Sequence, residues 1–144
     1  KENTEYRYQG KKVDAVLVDE AQFLSEAEID TLSDLVDFYN IPVICYGLRT
    51  DFRNRLFPGS RRLMEIADVI EEVPTVCWCG KRAQCNTRYA NGEIVREGAQ
   101  IMLGSNESYV ALCRKHYKEG KLWKEAGAEN ETSTRRNCKI MEKE

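Results

Sequence analysis

The sequence lacks several features that mark broad classes of protein. No apolar run approaches the roughly 20 residues that a membrane-spanning helix needs. The polar start KENTEYRYQGKK has no apolar core of a signal peptide. The formal net charge is −2, so the chain carries no overall basic footprint for nucleic acid. These absences predict a cytoplasmic protein that binds neither a membrane nor nucleic acid.

A glycine-rich phosphate loop of the form GxxxxGKS or GxxxxGKT is also absent from the 144 residues. Any phosphate chemistry must therefore be inferred from other residues.

The chain contains 42% hydrophobic and 32% charged residues. This composition suits the core of one domain, or of a domain with a small appendage.

The first part of the chain has the pattern of an α/β unit. Residues 13–19, with the apolar run 15–18, and residues 41–46 predict two buried strands. Between them, the capping box Ser25-x-x-Glu28 predicts the start of a helix, and Asn40 predicts its end. A strand, a helix and a strand with short connections predict a parallel sheet. The helix should bury an apolar face made of Ile29, Leu32, Val36 and Tyr39.

The remaining elements are weaker in pattern. Residues 48–60, rich in arginine and phenylalanine, predict an ordered loop. Residues 61–67 predict a short helix, and residues 68–73 (DVIEEV) predict a short strand. Pro74 marks the end of this first domain, 1–74, and 75–120 form a smaller unit with a hairpin signal at Asn91-Gly92. The charged tail 121–144 should be flexible, above all 127–144. The short helix should turn Leu63, Ile66 and Ala67 inward.

Four of the six cysteines lie between positions 77 and 113, shortly before the only histidine, His116. Cys77-x-Cys79 and Cys113-x-x-His116 form two close pairs of soft ligands, separated by about 33 residues. Such clustering favours a metal over disulfides. Four protein ligands satisfy a tetrahedral Zn²⁺ and leave no open position, so the zinc is predicted to be structural.

The other cysteines have different expected roles. Cys45 should be a core residue within the second strand, and Cys138 should be a free thiol in the tail. Cys85, on the hairpin, is a weaker rival for the metal.

Two carboxylates, Asp19 and Glu20, follow the first apolar strand directly. Ligands bind at the carboxyl edge of open α/β sheets, so the position suggests a site. Three interpretations remain open from the residues alone. Asp19 could hold Mg²⁺ beside Glu20 as a general base, DEAQ could be the acidic motif of a helicase-like ATPase, or both acids could be solvated residues at a helix start.

The segments VLVDEAQF, GLRTDFRNRLFPG, CWCG and ESYVALCRKHY occur here in the order found in another group of proteins. The chain resembles, over residues 13–117, the zinc-containing thymidine kinases shared by bacteria and the animal cytosol. The CxC and CxxH spacing looks like the enterobacterial branch. The resemblance implies a P-loop NTPase-like (RecA-like) parallel sheet, N-terminally incomplete, followed by a small zinc-binding, β-rich lasso domain.

The resemblance also implies an activity. ATP would phosphorylate the 5′-hydroxyl of thymidine to give dTMP, with Glu20 as the catalytic base. Asp19 would hold Mg²⁺, and Ala21 and Gln22 would complete the segment that faces the nucleotide. The family's phosphate-binding loop lies upstream of this motif, so this chain alone is expected to be inactive. The family further suggests a homotetramer and feedback inhibition by dTTP.

The same match implies a thymidine pocket that is closed by a lasso, the long loop between Cys79 and Cys113. The zinc would hold both ends of this loop. Arg49, Arg53 and Arg55 could offset phosphate charge, although the family often has a small residue in the segment 49–51. The residues expected to bind thymidine are Phe52, Phe57, Gln100, Ile101, Met102, Leu103, Gly104 and Tyr109.

Two other functions compete with a kinase. A non-enzymatic zinc-ribbon binding module would take the missing phosphate loop at face value. A helicase-like ATPase would use DEAQ, although the acidic charge balance argues against it.

Overall fold

The computed structural model describes residues 6–101 and 108–124, and every structural statement below concerns these residues. Three predictions fall outside them: a flexible tail over 127–144, a free thiol at Cys138, and the lasso residues Met102, Leu103 and Gly104. Within the described ranges, every helix is too short or too polar to cross a bilayer.

The first part is built from short strands and two longer helices. A small antiparallel hairpin, β1 and β2, precedes a parallel pair, β3 and β4, and a 3₁₀ helix follows β3. The elements in chain order are β1 (Arg7–Tyr8), β2 (Lys11–Lys12), β3 (Val16–Val18), the 3₁₀ helix (Ala21–Phe23), α1 (Glu26–Tyr39), β4 (Val43–Cys45) and α2 (Pro58–Ile66).

The predicted βαβ unit is confirmed. Strands β3 and β4 pair in parallel, and Leu17 lies opposite Ile44. Helix α1 crosses between them and begins with the predicted capping box. The Ser25 hydroxyl accepts from the Glu28 amide at 3.3 Å, and the Glu28 carboxylate accepts from the Ser25 amide at 2.8 Å. Asn40 ends the helix in the left-handed conformation, with φ of 55°. A mixed α/β architecture follows.

The prediction that both strands are buried is wrong. Leu17 is 68% exposed and Ile44 48% exposed, whereas their neighbours in each strand are half-buried. Side chains alternate across a sheet, so a two-stranded sheet covered on one side by a helix must leave one face open. Each strand is also shorter than its apolar run, because only the paired residues form a ladder.

The segment 48–73 differs from its prediction in three ways. Helix α2 begins at Pro58, inside the predicted loop, because proline is well suited to the first turn of a helix. Ala67, predicted to face inward, is exposed. Residues 68–73 form no strand in the described structure, and Val69 and Val73 are largely exposed. A β-rich composition makes a strand only where a neighbouring backbone pairs with it.

The second part is an antiparallel sheet with a short helix. Asn91 and Gly92 form the predicted hairpin turn, both with positive φ. The elements are β5 (Cys85–Ala90), β6 (Glu93–Ile94), β7 (Ser108–Leu112) and α3 (Arg114–Glu119), with strand order β6-β5-β7.

A single apolar cluster holds this second part together, and it reaches past residue 120. Leu122 is buried in the cluster with Leu112, and the Trp123 ring meets the Tyr89 ring edge-on at 5.6 Å. Packing against this cluster therefore includes Leu122 and Trp123, within the segment predicted as a charged tail.

Candidate active site and metal centre

The four residues predicted to bind zinc lie together in the second part. The ligand atoms of Cys77, Cys79, Cys113 and His116 all lie within 4.8 Å of one another. Cys77 Sγ is 3.4 Å from His116 Nδ1, and Cys79 Sγ is 4.0 Å from Cys113 Sγ. All cysteines within the described residues are free thiols.

This arrangement fits a tetrahedral zinc ion. With Zn–S about 2.3 Å and Zn–N about 2.0–2.1 Å, tetrahedral ligand atoms are about 3.5–3.8 Å apart. The two measured separations fall close to that range. Cys85 is buried in the same apolar cluster, but it is not among the four converging ligands. The donor set therefore fits a closed Cys₃His site, which is typical of structural zinc.

Local features aim the ligands at one point. Gly80 has φ of +80° and its amide donates to the Cys77 carbonyl at 2.8 Å, which turns the chain between the first pair of ligands. Cys113 lies at the end of β7 and begins α3, the helix that carries His116. Trp78 stacks on the His116 imidazole, with ring centroids 4.1 Å apart, and this contact orients the histidine ring.

The surroundings of Cys77 favour its thiolate. Burial opposes ionisation, but amide donors at Cys79 and Cys113, together with the His116 side chain, lower the pKa of the Cys77 thiol to about 6. Burial and the neighbouring thiols raise the pKa of Cys79. Thiolates are the form of cysteine that binds metals, so the Cys77 site is prepared for a cation.

The paired carboxylates lie where the sequence predicts, at the carboxyl end of β3. Glu20 has a left-handed backbone, with φ of 53° and ψ of 36°, which is uncommon for a residue with a side chain. Its amide donates to Asp19 Oδ1 at 2.9 Å. Strain of this kind costs on the order of 1–3 kcal/mol and tends to occur at functional sites. Both carboxylates are exposed to solvent and offer the oxygen ligands that Mg²⁺ prefers.

The segment after Glu20 is held by backbone packing. Ala21 and Gln22 are almost fully buried. The Gln22 amide group contacts the Glu20 carboxylate, and its carbonyl oxygen accepts from the Leu48 amide at 3.1 Å. A Cβ added at Gly59 would lie 2.5 Å from the Leu24 carbonyl oxygen, so α2 approaches this segment closely. Gln22 therefore connects the acidic strand end with the loop after β4.

That loop is organised around a buried carboxylate. Asp51 is 1% exposed and accepts from the amides of Arg53 and Arg55 and from the Arg53 guanidinium. Burial opposes the charge, but these donors and Gln100 outweigh it and lower the pKa of Asp51. Gln100 Nε2 donates to Asp51 Oδ2 at 3.1 Å, which ties residue 100 to the loop after β4.

The two phenylalanines predicted to bind thymidine are both buried. Phe52 is 1% exposed, and the Arg88 guanidinium carbon lies 3.9 Å from its ring centroid. Phe57 packs edge-on against Phe23 at 5.7 Å. Ile101 and Tyr109 are about half-exposed, at 51% and 49%.

The structure thus brings some of these predicted residues together. Phe52, Gln100 and Tyr109 all contact Arg88, and Asp51 joins Gln100. Arg49 lines a separate cavity of about 300 Å³ with Arg114, while Arg53 pairs with Asp51. That cavity lies between the loop after β4 and helix α3.

Two residues central to this arrangement are missing from the sequence interpretation. Arg88 is fully buried, although an arginine in a strand is ordinarily solvated. Trp78 lies between Cys77 and Cys79 in sequence, and nothing in its position predicts that its indole stacks on His116. Only the unusual placement of a tryptophan inside a CxC motif could have drawn attention to it.

Comparison with known proteins places these residues in a family. The sequence profile of the family described as thymidine kinase matches residues 1–117. The chain belongs to the thymidine kinase family. Its resemblance to these enzymes is therefore confirmed, and the match extends over the start of the chain as well.

Several bacterial thymidine kinases are close relatives. The chain is 54% identical over 110 residues to a thymidine kinase of Haemophilus influenzae (strain Rd), covering 76% of the chain and 57% of that protein. It is 50% identical over 121 residues to one of Legionella pneumophila (strain Paris), covering 83% and 58%. For Pasteurella multocida the values are 51% over 112 residues, 77% and 58%. The chain spans slightly more than half the length of these relatives.

Proposed function

We propose that the whole protein is a thymidine kinase, which transfers the γ-phosphate of ATP to the 5′-hydroxyl of thymidine and yields dTMP. The observation that carries this proposal is Glu20, an exposed carboxylate at the carboxyl end of β3, held in a left-handed backbone beside a phenylalanine-bearing loop. Family membership supplies the reaction class, and the relatives named above are called thymidine kinases.

Glu20 is the base in this proposal. It accepts the proton of the 5′-hydroxyl as that oxygen attacks phosphorus, and γ-phosphoryl transfer leaves ADP. A base must reach the hydroxyl within hydrogen-bonding distance. Solvent access to Glu20 and its contact with Gln22 support this role, because Gln22 limits the directions that the carboxylate can take.

Asp19 would hold Mg²⁺, which supplies charge neutralisation for the transferred phosphoryl group when bound. Ala21 and Gln22 would form the floor of the nucleotide site. Both are buried and closely packed between Gly47 and Gly59. In this proposal, residues 19–22 are the part of the ATP site that this chain contributes.

Thymidine would lie between the loop after β4 and the lasso. Phe52 and Phe57 are buried, so they would form the aromatic wall behind the thymidine pocket, and Tyr109 would reach the nucleoside. The bond between Asp51 and Gln100 supports this placement, because it brings the lasso onto that loop. The remaining thymidine contacts would come from Ile101, Met102, Leu103, Gly104 and the Gln100 backbone.

The fold of the whole protein is part of the same proposal. We infer a P-loop NTPase-like sheet in which β3 and β4 are two of several parallel strands. The open apolar face that carries Leu17 and Ile44 supports a larger and better covered sheet.

The Cys₃His site would hold a structural zinc ion that pins the lasso. Cys79 and Cys113 bracket β5, β6 and β7, so a metal bound there closes the base of the loop. Closing a loop at its base lowers the entropy that ordering it would otherwise require. A cytoplasmic location, a homotetramer and inhibition by dTTP remain proposals that rest on the family.

The direct test is phosphoryl transfer by the full-length protein. With ATP, Mg²⁺ and thymidine, dTMP should form, and little should form with uridine as the acceptor. ATP hydrolysis stimulated by RNA or DNA, without dTMP, would identify a helicase-like ATPase instead. Zinc binding with neither reaction would support the binding module and overturn the kinase.

A further inference from the structure

Arg88 is the most deeply buried cation in the described part of the chain, with 0% exposure. It belongs to β5, opposite Tyr109 in β7. Burying a guanidinium is unfavourable unless its donors and its charge are satisfied. Arg88 meets this requirement through groups that the proposed function assigns to the thymidine site, which suggests a functional role.

The partners of Arg88 are groups that the proposed function assigns to thymidine. Its Nε donates to the Tyr109 hydroxyl at 2.9 Å. Nη1 and Nη2 donate to the carbonyl oxygens of Ala99 and Gln100, at 3.0 Å and 3.2 Å. Its guanidinium carbon lies over the Phe52 ring at 3.9 Å. One planar group thus contacts both the lasso and the aromatic loop.

Only an arginine can make this set of contacts. The guanidinium offers five donors in a rigid plane, and the same plane can stack on an aromatic face. Lysine would carry the charge without the fork, and its ammonium would reach fewer of these acceptors. Arg88 therefore holds three groups in one relative orientation: the backbone at 99–100, the Tyr109 hydroxyl and the Phe52 ring.

We propose that Arg88 is the positioning residue of the nucleoside site, which orders the start of the lasso and Tyr109 against Phe52 and so sets the affinity for thymidine. This inference rests on the proposed function. Arg88 acts through these three groups, whereas the proposed function assigns ATP to the segment 19–22. Its loss should therefore weaken thymidine binding selectively.

The central variant is Arg88→Met in the full-length, zinc-loaded protein. Methionine keeps apolar volume beside Phe52 but removes the charge and the donors. The thymidine KM should rise at least about tenfold, while the KM for ATP and kcat stay within about threefold. A purely structural role would lower the active fraction, and thus kcat, without this split.

Two further variants make the test specific. Arg88→Lys should give an intermediate rise in the thymidine KM, because it restores charge without the fork. Arg82→Met is the matched control, since Arg82 is exposed and pairs with Glu72 at the surface. It should leave both KM values unchanged.

Amide hydrogen exchange separates this inference from the proposed function. Without any substrate, Arg88→Met should exchange faster than wild type at residues 99–101 and 109–111, and Arg82→Met should not. If wild type forms no dTMP, the proposed function fails, and the exchange data still judge the positioning role.

The outcomes decide the matter. Unchanged exchange at 99–101, or a thymidine KM that stays constant or moves together with the ATP KM, would overturn the inference. If Arg88→Met does not fold, the decision passes to Arg88→Lys: wild-type exchange and a wild-type thymidine KM in that variant would overturn it, and a selective rise would support it.

Discussion

The Tyr117 hydroxyl donates a hydrogen bond of 2.9 Å to the Phe52 carbonyl oxygen. Tyr117 is adjacent on α3 to His116, one of the four converging residues that could hold a metal, and Phe52 lies in the loop after β4. A buried hydrogen bond therefore connects helix α3 with the loop that carries Phe52, so a change in one should alter the stability of the other.

Removing this connection should reduce stability without removing the metal. Tyr117→Phe leaves the buried Phe52 carbonyl without its donor, which should lower the free energy of unfolding by about 1–3 kcal/mol. Urea unfolding of the full-length protein measures the change, and zinc content should remain at the wild-type value. The control is Tyr46→Phe, at an exposed tyrosine. Equal stability of the two variants would show that the bond contributes nothing.

Removing a metal ligand should have broader effects. Cys113→Ser should lower zinc content from about one per chain to well below half, because the site needs four ligands. Structural zinc contributes to folding directly, so Tm should also fall by at least about 10 °C. Thymidine affinity should decrease with it. Elemental analysis and calorimetry make the measurements, with Cys45→Ser as the control that keeps its zinc. Full zinc in Cys113→Ser would mean a different ligand set.

Acid should remove the contribution of Asp51. Its pKa is lower in the folded protein than in the unfolded chain, because the donors of Arg53, Arg55 and Gln100 outweigh its burial. A lowered folded pKa stabilises the protein above the unfolded pKa of about 3.9, and this stabilisation is lost as pH falls through the folded pKa. Asp51→Asn should therefore be less stable than wild type at pH 7, and the difference should shrink below about pH 4.

Urea unfolding at a series of pH values measures this difference. Asp68→Asn, at an exposed position, is the matched control and should show no such trend. A stability gap between wild type and Asp51→Asn that stays constant down to the acid transition would remove Asp51 as the titrating group.

Close packing behind Glu20 should make Gly59 intolerant of a side chain. An added Cβ would lie 2.5 Å and 2.7 Å from the carbonyl oxygens of Leu24 and Ala21, so backbone must move. Gly59→Ala should destabilise the protein by about 1–3 kcal/mol, although alanine is the better helix former. Met64→Ala, on the exposed side of α2, serves as the comparison. A Gly59→Ala protein as stable as wild type would show that α2 can shift freely.

Local patterns predicted the parts of the structure that depend on neighbouring residues. The capping box at Ser25, the turn at Asn91-Gly92 and the metal ligands each depend on short spacings that physical chemistry constrains tightly. The βαβ unit was predicted from two apolar runs with a capped helix between them. What failed depended on distant partners: a strand over 68–73 needs a paired backbone, and burial of Leu17 needs a covering layer.

The same distinction explains the candidate site. Asp19 and Glu20 were visible because two carboxylates after an apolar strand are unusual. Arg88 was not, because its role depends on Phe52, 36 positions away, and on Tyr109 across the sheet. No short pattern reports such contacts. Gln100 was expected to bind thymidine, and in the structure its side chain binds Asp51.

Turnover by a Glu20→Gln variant of the full-length protein tests the central claim most directly. Glutamine keeps the shape of the side chain but cannot accept the proton, so kcat for dTMP formation should fall by about 10²–10⁴-fold. Thymidine affinity, measured by calorimetry, should stay within about threefold. Wild-type turnover in Glu20→Gln would contradict the assignment of Glu20 as the base, and with it the proposed mechanism.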